Sequence, residues 1–268
     1  MGADPKQDDE VNPYLCTPPK ERIFPMKLDI LAIAAHPDDV ELACAGTLMV
    51  HAAQGMKVGV LDLTRGELGT RGTPETRAEE AAAAAKVMGL AVRDNLGLRD
   101  GFFRNDTEEQ MKLIAAIRKY QPDIVLANAF EDRHPDHGRA ARLIADSCFL
   151  AGLRKVETFE DGKLQAAWRP KQVFHFMQDR YERPDFVVDT SAVIERKKEA
   201  IKCYKTQFLA QGADNEPQTY ISSNAFFESV INRDVTFGKI VGVSHAEGFK
   251  TSKVLGISSF KDVINNVT

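Results

Sequence analysis

The stretch LDILAIAAHPDDVELACAGTLMVHAAQGMKVGVLDL, Leu28–Leu63, decides the fold. Leu28–Ala34 is a short apolar run, the pattern of a strand buried on both faces. Val40–Gln54 reads as a helix, closed by Gly55 at the usual C-terminal position. Lys57–Leu63 reads as a second strand. Strand, helix and strand in one run make the βαβ unit, whose strands lie parallel.

The same alternation continues outward. A Gly-rich loop, Arg65–Gly72, leads to Thr73-Pro74, a cap residue followed by proline at the first helical turn. That helix runs to Met88 and ends at Gly89. Val92–Leu98 is a third strand. Thr107-Glu108-Glu109-Gln110 resembles a capping box and starts a helix to Tyr120, stopped before Pro122. Asp123–Asn128 is a fourth strand, and Pro135 opens a helix to about Gly152. The fold class is therefore α/β, a mostly parallel sheet with helices on both faces. Beyond residue 155 the pattern is less regular. Val173–Met177 and Phe186–Asp189 read as strands, Thr190 or Ser191 as the cap of a long helix to about Gln211, and Gly212–Ser223 as a loop. The expectation is one domain over 26–268 with a C-terminal elaboration. Residues 1–25, polar and Pro-rich, read as a flexible extension or leader, with Met26 as the natural start.

Bulk composition bounds the function. With 268 residues, 43% hydrophobic and 28% charged, the chain has the make-up of a globular protein with a real core. A net charge of −4 and the lack of a Lys/Arg-rich run argue against a nucleic-acid partner. No stretch reaches the ~18 apolar residues of a membrane helix, and the N-terminus carries no signal-peptide pattern. Cys16, Cys44, Cys148 and Cys203 form no C-x-x-C pair, which argues against a thiolate metal site and suits a reducing cytoplasm. Cys44 and Cys148 read as small buried hydrophobes.

Two clusters carry chemistry. His36-Pro37-Asp38-Asp39 follows the first strand, and His134-Pro135-Asp136-His137 follows the fourth. Ligands in such sheets bind outside the carboxyl ends of strands, where strand order reverses. If the first and fourth strands are neighbours, the clusters face one another. His36, Asp39 and one imidazole of the second cluster then make a two-His, one-carboxylate metal set with a position open for water. Asp38 is left over beside the ligands, where a general base belongs. The remaining imidazole suits an oxyanion or a leaving amine, with Asp136 orienting it and keeping it charged. His-Pro-Asp alone is common in turns. Two such clusters holding three of the six histidines, each at a strand end, weigh towards a metal site.

The loop at 66–72 fits neither dinucleotide nor P-loop spacing and reads as an active-site or surface loop. Of Arg65, Arg71 and Arg77 around it, Arg77 is the preferred substrate ligand. His245 reads as a pocket residue or a structural one, His51 and His175 as structural.

AHPDDVE (35–41) and EDRHPDH (131–137) resemble the two signature motifs of the zinc-dependent deacetylases typified by the PIG-L and LmbE proteins. The resemblance extends from Lys27 to Gly248, and RGELGTRGT looks closest to the bacillithiol-biosynthesis members, which free the nitrogen of N-acetylglucosaminyl malate. It implies a Rossmann-like fold and homo-oligomers. It further implies zinc on His36, Asp39 and His137, with Fe2+ suiting the same donors. By the same resemblance Asp38 is the base, His134 stabilises the tetrahedral intermediate and Arg77 binds substrate. Rival substrates are other N-acyl amino sugars, such as mycothiol precursors, chitin fragments or glycolipids. A rival class is a non-catalytic sugar-binding module. Malate calls for a cation, for which Arg65, Arg71 and Arg77 are the candidates.

Overall fold

The computed structural model describes residues 26–208 and 217–263. The extension 1–25 and the predicted helix end at 209–211 lie outside the described residues. The chain runs β1 (Ile30–Ala34), α1 (Asp39–Ala43), α2 (Ala45–Ala53), β2 (Val58–Thr64), α3 (Pro74–Met88), β3 (Val92–Leu98), α4 (Thr107–Tyr120), β4 (Ile124–Ala127) and α5 (Pro135–Ala151). Then come a small hairpin, β5 (Phe159–Glu160) and β6 (Lys163–Leu164), and β7 (Gln172–Phe176), β8 (Phe186–Asp189), α6 (Ile194–Lys202), α7 (Asn224–Val241) and β9 (Ala246–Lys250).

Seven strands form one sheet in the order β3-β2-β1-β4-β7-β9-β8. β3 to β7 are parallel; β9 pairs antiparallel with both β7 and β8. Side chains alternate across a strand, and β1 feeds two cores at once. Leu31 and Ile33 pack with α4 and α5, while Ile30, Ala32 and Ala34 pack with α2, α3 and α6. The α/β expectation thus holds, with helices on both faces. β1 and β4 are hydrogen-bonded neighbours. Strand order reverses there, since β2 and β3 run outward on one side and β7 on the other.

The structure departs from the sequence expectations in four places. The single helix expected over Val40–Gln54 is two helices broken at Cys44 (φ −141°, ψ 18°). Buried side chains pair the groups that the break exposes. Arg233 donates to the Leu42 carbonyl, and Glu247 accepts from the Gly46 and Thr47 amides at 2.9 and 2.6 Å. The helix expected to reach Gln211 is a 3-10 turn, Ser191–Val193, and then α6, which stops at Lys202. Tyr204 and Phe208 turn into a core cluster with α3 and α7, and burial of two aromatics outweighs continued helix. Thr107 is the first residue of α4 rather than its cap, because the Asp106 carboxylate accepts from the Glu109 amide. α7 and β9, absent from the sequence reading, close the sheet beyond β7. Among the described residues no helix is long and apolar enough to cross a membrane. Cys44, Cys148 and Cys203 are free thiols, the first two buried as expected.

Candidate active site

Both histidine clusters stand at the carboxyl ends of β1 and β4, on one wall of a cavity of about 760 Å³. That is ample for a drug-sized ligand. The His36, His134 and His137 rings lie 4.7 to 5.6 Å apart, centre to centre. His36 leads out of β1, and Asp39 begins α1 with its carboxylate accepting from the His36 amide at 3.0 Å. His134 caps α5, and His137 follows one turn later on the same helix face.

Carboxylates orient the His36 and His137 rings. His36 Nε2 meets Asp100 Oδ1 at 3.0 Å and Asp136 Oδ2 at 3.3 Å, so Nε2 carries a proton and Nδ1 faces Asp39 at 3.6 Å. His137 Nδ1 meets Asp132 Oδ2 at 2.6 Å, leaving Nε2 towards Asp39 Oδ1 at 3.2 Å. Carboxylates behind the outer imidazole nitrogens fix the tautomer that a metal requires. Asp39 is itself held by Gln178 (2.5 Å to Oδ1) and Asn128 (3.2 Å to Oδ2). Among the described residues the donor sets close enough to share one cation are His36, His134 and His137, and His36, Asp100 and Asp136; Asp39, expected as a ligand, touches His36 and His137 but is not in either set. The same carboxylates favour protonated rings wherever no cation competes. Burial pulls His137 down, but Asp39 and Asp132 outweigh it and raise its pKa to about 9. The same balance, with Asp100, Asp136 and Asp39 outweighing burial, lifts His36 well above its ordinary value. Asp39 lies well below the carboxylate range, the two imidazoliums overcoming its burial.

Asp38 lines the same cavity and has left-handed backbone (φ 115°), a conformation that costs a non-glycine residue about 1–3 kcal/mol. Burial raises its pKa to about 7, with the Arg77 guanidinium pulling against it. Arg77 lines the cavity, but its Nη2 is spent on the Pro37 carbonyl and on Asp38 Oδ2 at 3.1 Å. It grips the base.

His134 differs from its sequence-based description in one respect. Its Nδ1 accepts the Asp136 backbone amide at 3.3 Å, so the proton sits on Nε2. Burial, then the charges of His36 and His137, hold its pKa below the ordinary value, and it is a neutral donor near pH 7. The Asp136 carboxylate meets His36, the Gly101 amide and Arg139, not the His134 ring. The expected Asp136–His134 charge pair is therefore replaced by a carboxylate behind His36.

Other expectations also move. Arg71 is buried and donates to the Thr206 and Pro217 carbonyls. Arg65 lines a different, smaller cavity. His245 hydrogen-bonds Ser244 and is not among the residues lining the large cavity; its near neighbour Glu247 serves the helix break. His51 and His175 bond backbone carbonyls and are structural. Asp132, Asp100, Gln178 and Asn128 were missed. Asp132 lies inside the quoted EDRHPDH motif and was legible there; the other three carry no local signal.

The family description PIG-L, GlcNAc-PI de-N-acetylase, matches residues 31–148. The crystal structure of the conserved protein TT1542 from Thermus thermophilus superposes with a TM-score of 0.77 at 37% identity, covering 86% of this chain and 98% of that one. This chain belongs to the PIG-L family. Diacetylchitobiose deacetylase of Thermococcus kodakarensis is 27% identical over 82% of each chain. The 4-oxalmesaconate hydratase of Pseudomonas putida is 28% identical over 66% of this chain and 73% of its own. A probable N-acetyl-alpha-D-glucosaminyl L-malate deacetylase of Bacillus anthracis is 23% identical over 48% of this chain and 63% of its own.

Proposed function

We propose that this protein is a metal-dependent deacetylase that hydrolyses the acetamide of an N-acetylglucosaminyl conjugate to acetate and a free amine. One observation carries the reading. Asp38, a buried carboxylate outside both candidate metal-holding sets, lines the same cavity as the His36, His134 and His137 cluster, with its pKa at about 7. A base works best with a pKa near the operating pH.

A divalent metal on His36, Asp39 and His137, zinc or Fe2+, supplies Lewis-acid polarisation of the acetamide carbonyl and the attacking water. Asp38 takes the proton from that water as its oxygen bonds to the carbonyl carbon. His134 Nε2–H donates to the oxyanion that develops, as a preorganised neutral dipole. Asp38 then delivers its proton to the nitrogen as the C–N bond breaks. Arg77 holds Asp38 in place and keeps a useful fraction of it ionised. Asp100, Asp136 and Asp132 hold the two ligand imidazoles in the correct tautomer.

For the conjugate, we favour N-acetylglucosaminyl malate, on the strength of RGELGTRGT and of the Bacillus anthracis relative. The hydratase relative favours one other reading, in which the same base adds water across a carbon–carbon double bond. Acetate release by metal-stripped and zinc-restored protein tests the proposal, with N-acetylglucosaminyl malate, N,N'-diacetylchitobiose and 4-oxalmesaconate as parallel substrates. Zinc-restored turnover of an acetamide, falling about 10²–10⁴-fold in Asp38→Asn with metal still bound, is the expected result. Hydration of 4-oxalmesaconate without acetate release from either sugar rejects the deacetylase.

A further inference from the structure

We propose that Tyr204 is a positioning residue for the base: its hydroxyl shares one buried water with Arg77 and Glu41, and so fixes the guanidinium that grips Asp38. The inference rests on the reading of Asp38 as the base and deepens it, giving that grip a support from a distant part of the chain.

Tyr204 lies just beyond α6 and is fully buried, in a cluster with Leu42, Ala81, Ala84 and Phe208. Packing alone asks for phenylalanine there, because a hydroxyl taken out of water costs free energy unless it is paired. The Tyr204 hydroxyl makes no hydrogen bond among the described residues, nor do Glu41 Oε2 and Arg77 Nε, and all three atoms are buried. They belong to side chains that meet. The central carbon of the Arg77 guanidinium lies 5.7 Å from the Tyr204 ring centre, and that of Arg93 lies 5.9 Å from it. Arg93 in turn pairs with Glu41 Oε1 and, through Nε and Nη2, with both oxygens of Asp62 at 2.9 and 3.0 Å. Two guanidiniums thus lie within cation–π range of one ring, and Glu41 is bonded to one of them. The three unpaired atoms gather around that ring.

Their donors and acceptors balance around one water. Burial, then the charge of Glu41, holds the Tyr204 hydroxyl well above its ordinary pKa, so it keeps its proton and donates. Arg77 Nε–H can only donate, and Glu41 Oε2 accepts. A water that takes two donated bonds and gives one to the carboxylate has the three partners usual for a buried water. Arg77 is then anchored twice: Nη2 on Asp38 and the Pro37 carbonyl, Nε on the water. A guanidinium is planar, so a second anchor sets the direction of its Nη2 edge and, with it, the place of the Asp38 carboxylate. The anchor comes from a residue far along the chain from the first histidine motif, which is why no local spacing announces it.

The test compares zinc-loaded wild type with Tyr204→Phe, which keeps the ring and removes only the hydroxyl, each checked for metal content and melting temperature. The substrate is whichever of N-acetylglucosaminyl malate, N,N'-diacetylchitobiose and 4-oxalmesaconate the wild type turns over. The expected result is a fall of about 2–10-fold in kcat, the worth of one hydrogen bond, with KM and zinc content unchanged. The fall vanishes in an Asp38→Asn background, because Tyr204 acts only through Asp38. An unchanged kcat in Tyr204→Phe, or an equal fall with and without Asp38, overturns the inference. Glu41→Gln keeps an oxygen for Arg93 and turns the water's acceptor into a donor, so it falls likewise and adds nothing to Tyr204→Phe. Should Tyr204→Phe not fold, Glu41→Gln is read by the same cycle with Asp38→Asn. If wild type turns over none of the three, the deacetylase reading fails, and crystal structures of wild type and Tyr204→Phe decide Tyr204 separately. A water bonded to all three atoms in wild type, with Arg77 drawn off Asp38 in Tyr204→Phe, sustains the inference; no such water, or an Arg77 that stays on Asp38, ends it.

Discussion

Replacing Asp132 with Asn tests how the metal site is built, because it changes one hydrogen-bond sign and little else. Asp132 Oδ1 accepts three backbone amides, those of Arg133, Asp179 and Arg180, at 2.8, 3.2 and 2.9 Å. Asn keeps that oxygen. Its amide group replaces Oδ2, which accepts from His137 Nδ1 at 2.6 Å. A donor there forces Nδ1 to accept, moves the imidazole proton to Nε2, and so blocks the nitrogen that faces Asp39. Loss of an oriented outer partner weakens metal binding about 10–100-fold. At 1.36 kcal/mol per tenfold that is about 1.4–2.7 kcal/mol. The assay is competition against a fluorescent zinc chelator, with thermal melting of the metal-free protein alongside. Asp132→Asn is expected to lose affinity while melting near wild type. Asp132→Ala loses the same affinity and, for each amide left unpaired, about 1–3 kcal/mol of stability. A folded Asp132→Asn protein that binds zinc as tightly as wild type refutes the tautomer argument.

Other outcomes follow from the same geometry. Lys197, fully buried, joins Asp234 at 2.5 Å and Glu247 at 2.7 Å, so Lys197→Met takes the ammonium from between two interior carboxylates, leaving them only Arg233 and two backbone amides, and costs about 3–5 kcal/mol in a urea melt; a loss under about 1 kcal/mol contradicts this. Arg77 lowers the Asp38 pKa, so Arg77→Met moves the acid limb of the kcat/KM profile to higher pH; a limb that stays in place or moves down separates Arg77 from the base. His36 and His137 are both raised above their ordinary values without metal, and zinc must displace their protons. Zinc affinity therefore climbs with pH towards about 9, where His137 deprotonates unaided, and calorimetry in buffers of different ionisation heat shows proton release at pH 7. Binding with no release at that pH contradicts the imidazolium assignment. Asp38→Gly is expected to outlast Asp38→Ala on heating, by about 1 kcal/mol, since only glycine is at ease at φ 115°; the reverse order removes the strain.

The parallel half of the fold was legible because its signals are local. Thr73 and Gly89 bracket α3, which spans Pro74–Met88 as expected, and Val92–Leu98 is β3 to the residue. The break at Cys44 was not, because its causes, Arg233 and Glu247, lie about 200 residues away, and periodicity sees only neighbours. The site divides along the same line. Residues in the two motifs could be read together once β1 and β4 were taken as neighbours. Asp100 and Gln178 reach His36 and Asp39 from loops across the cavity, and no spacing foretells that. The role of Asp136 was misjudged for the same reason: sequence adjacency to His134 suggested a partnership, whereas its rotamer sends the carboxylate across to His36.

The histidine clusters and the cavity mouth rest on different parts of the chain. Asp38, Asp39 and His137 are rooted in β1, β4 and the helices that follow them, where the core is dry on both sides. Arg133, Asp179, Tyr181 and Tyr220 stand on connecting segments at the rim. The reaction centre and the ligand preference can therefore drift apart under selection. A change at the rim re-addresses the enzyme without rebuilding its machinery. For protein engineers this makes segments 178–181 and 217–222 the places to graft from a relative when a different acyl sugar is wanted, with the two histidine motifs left untouched.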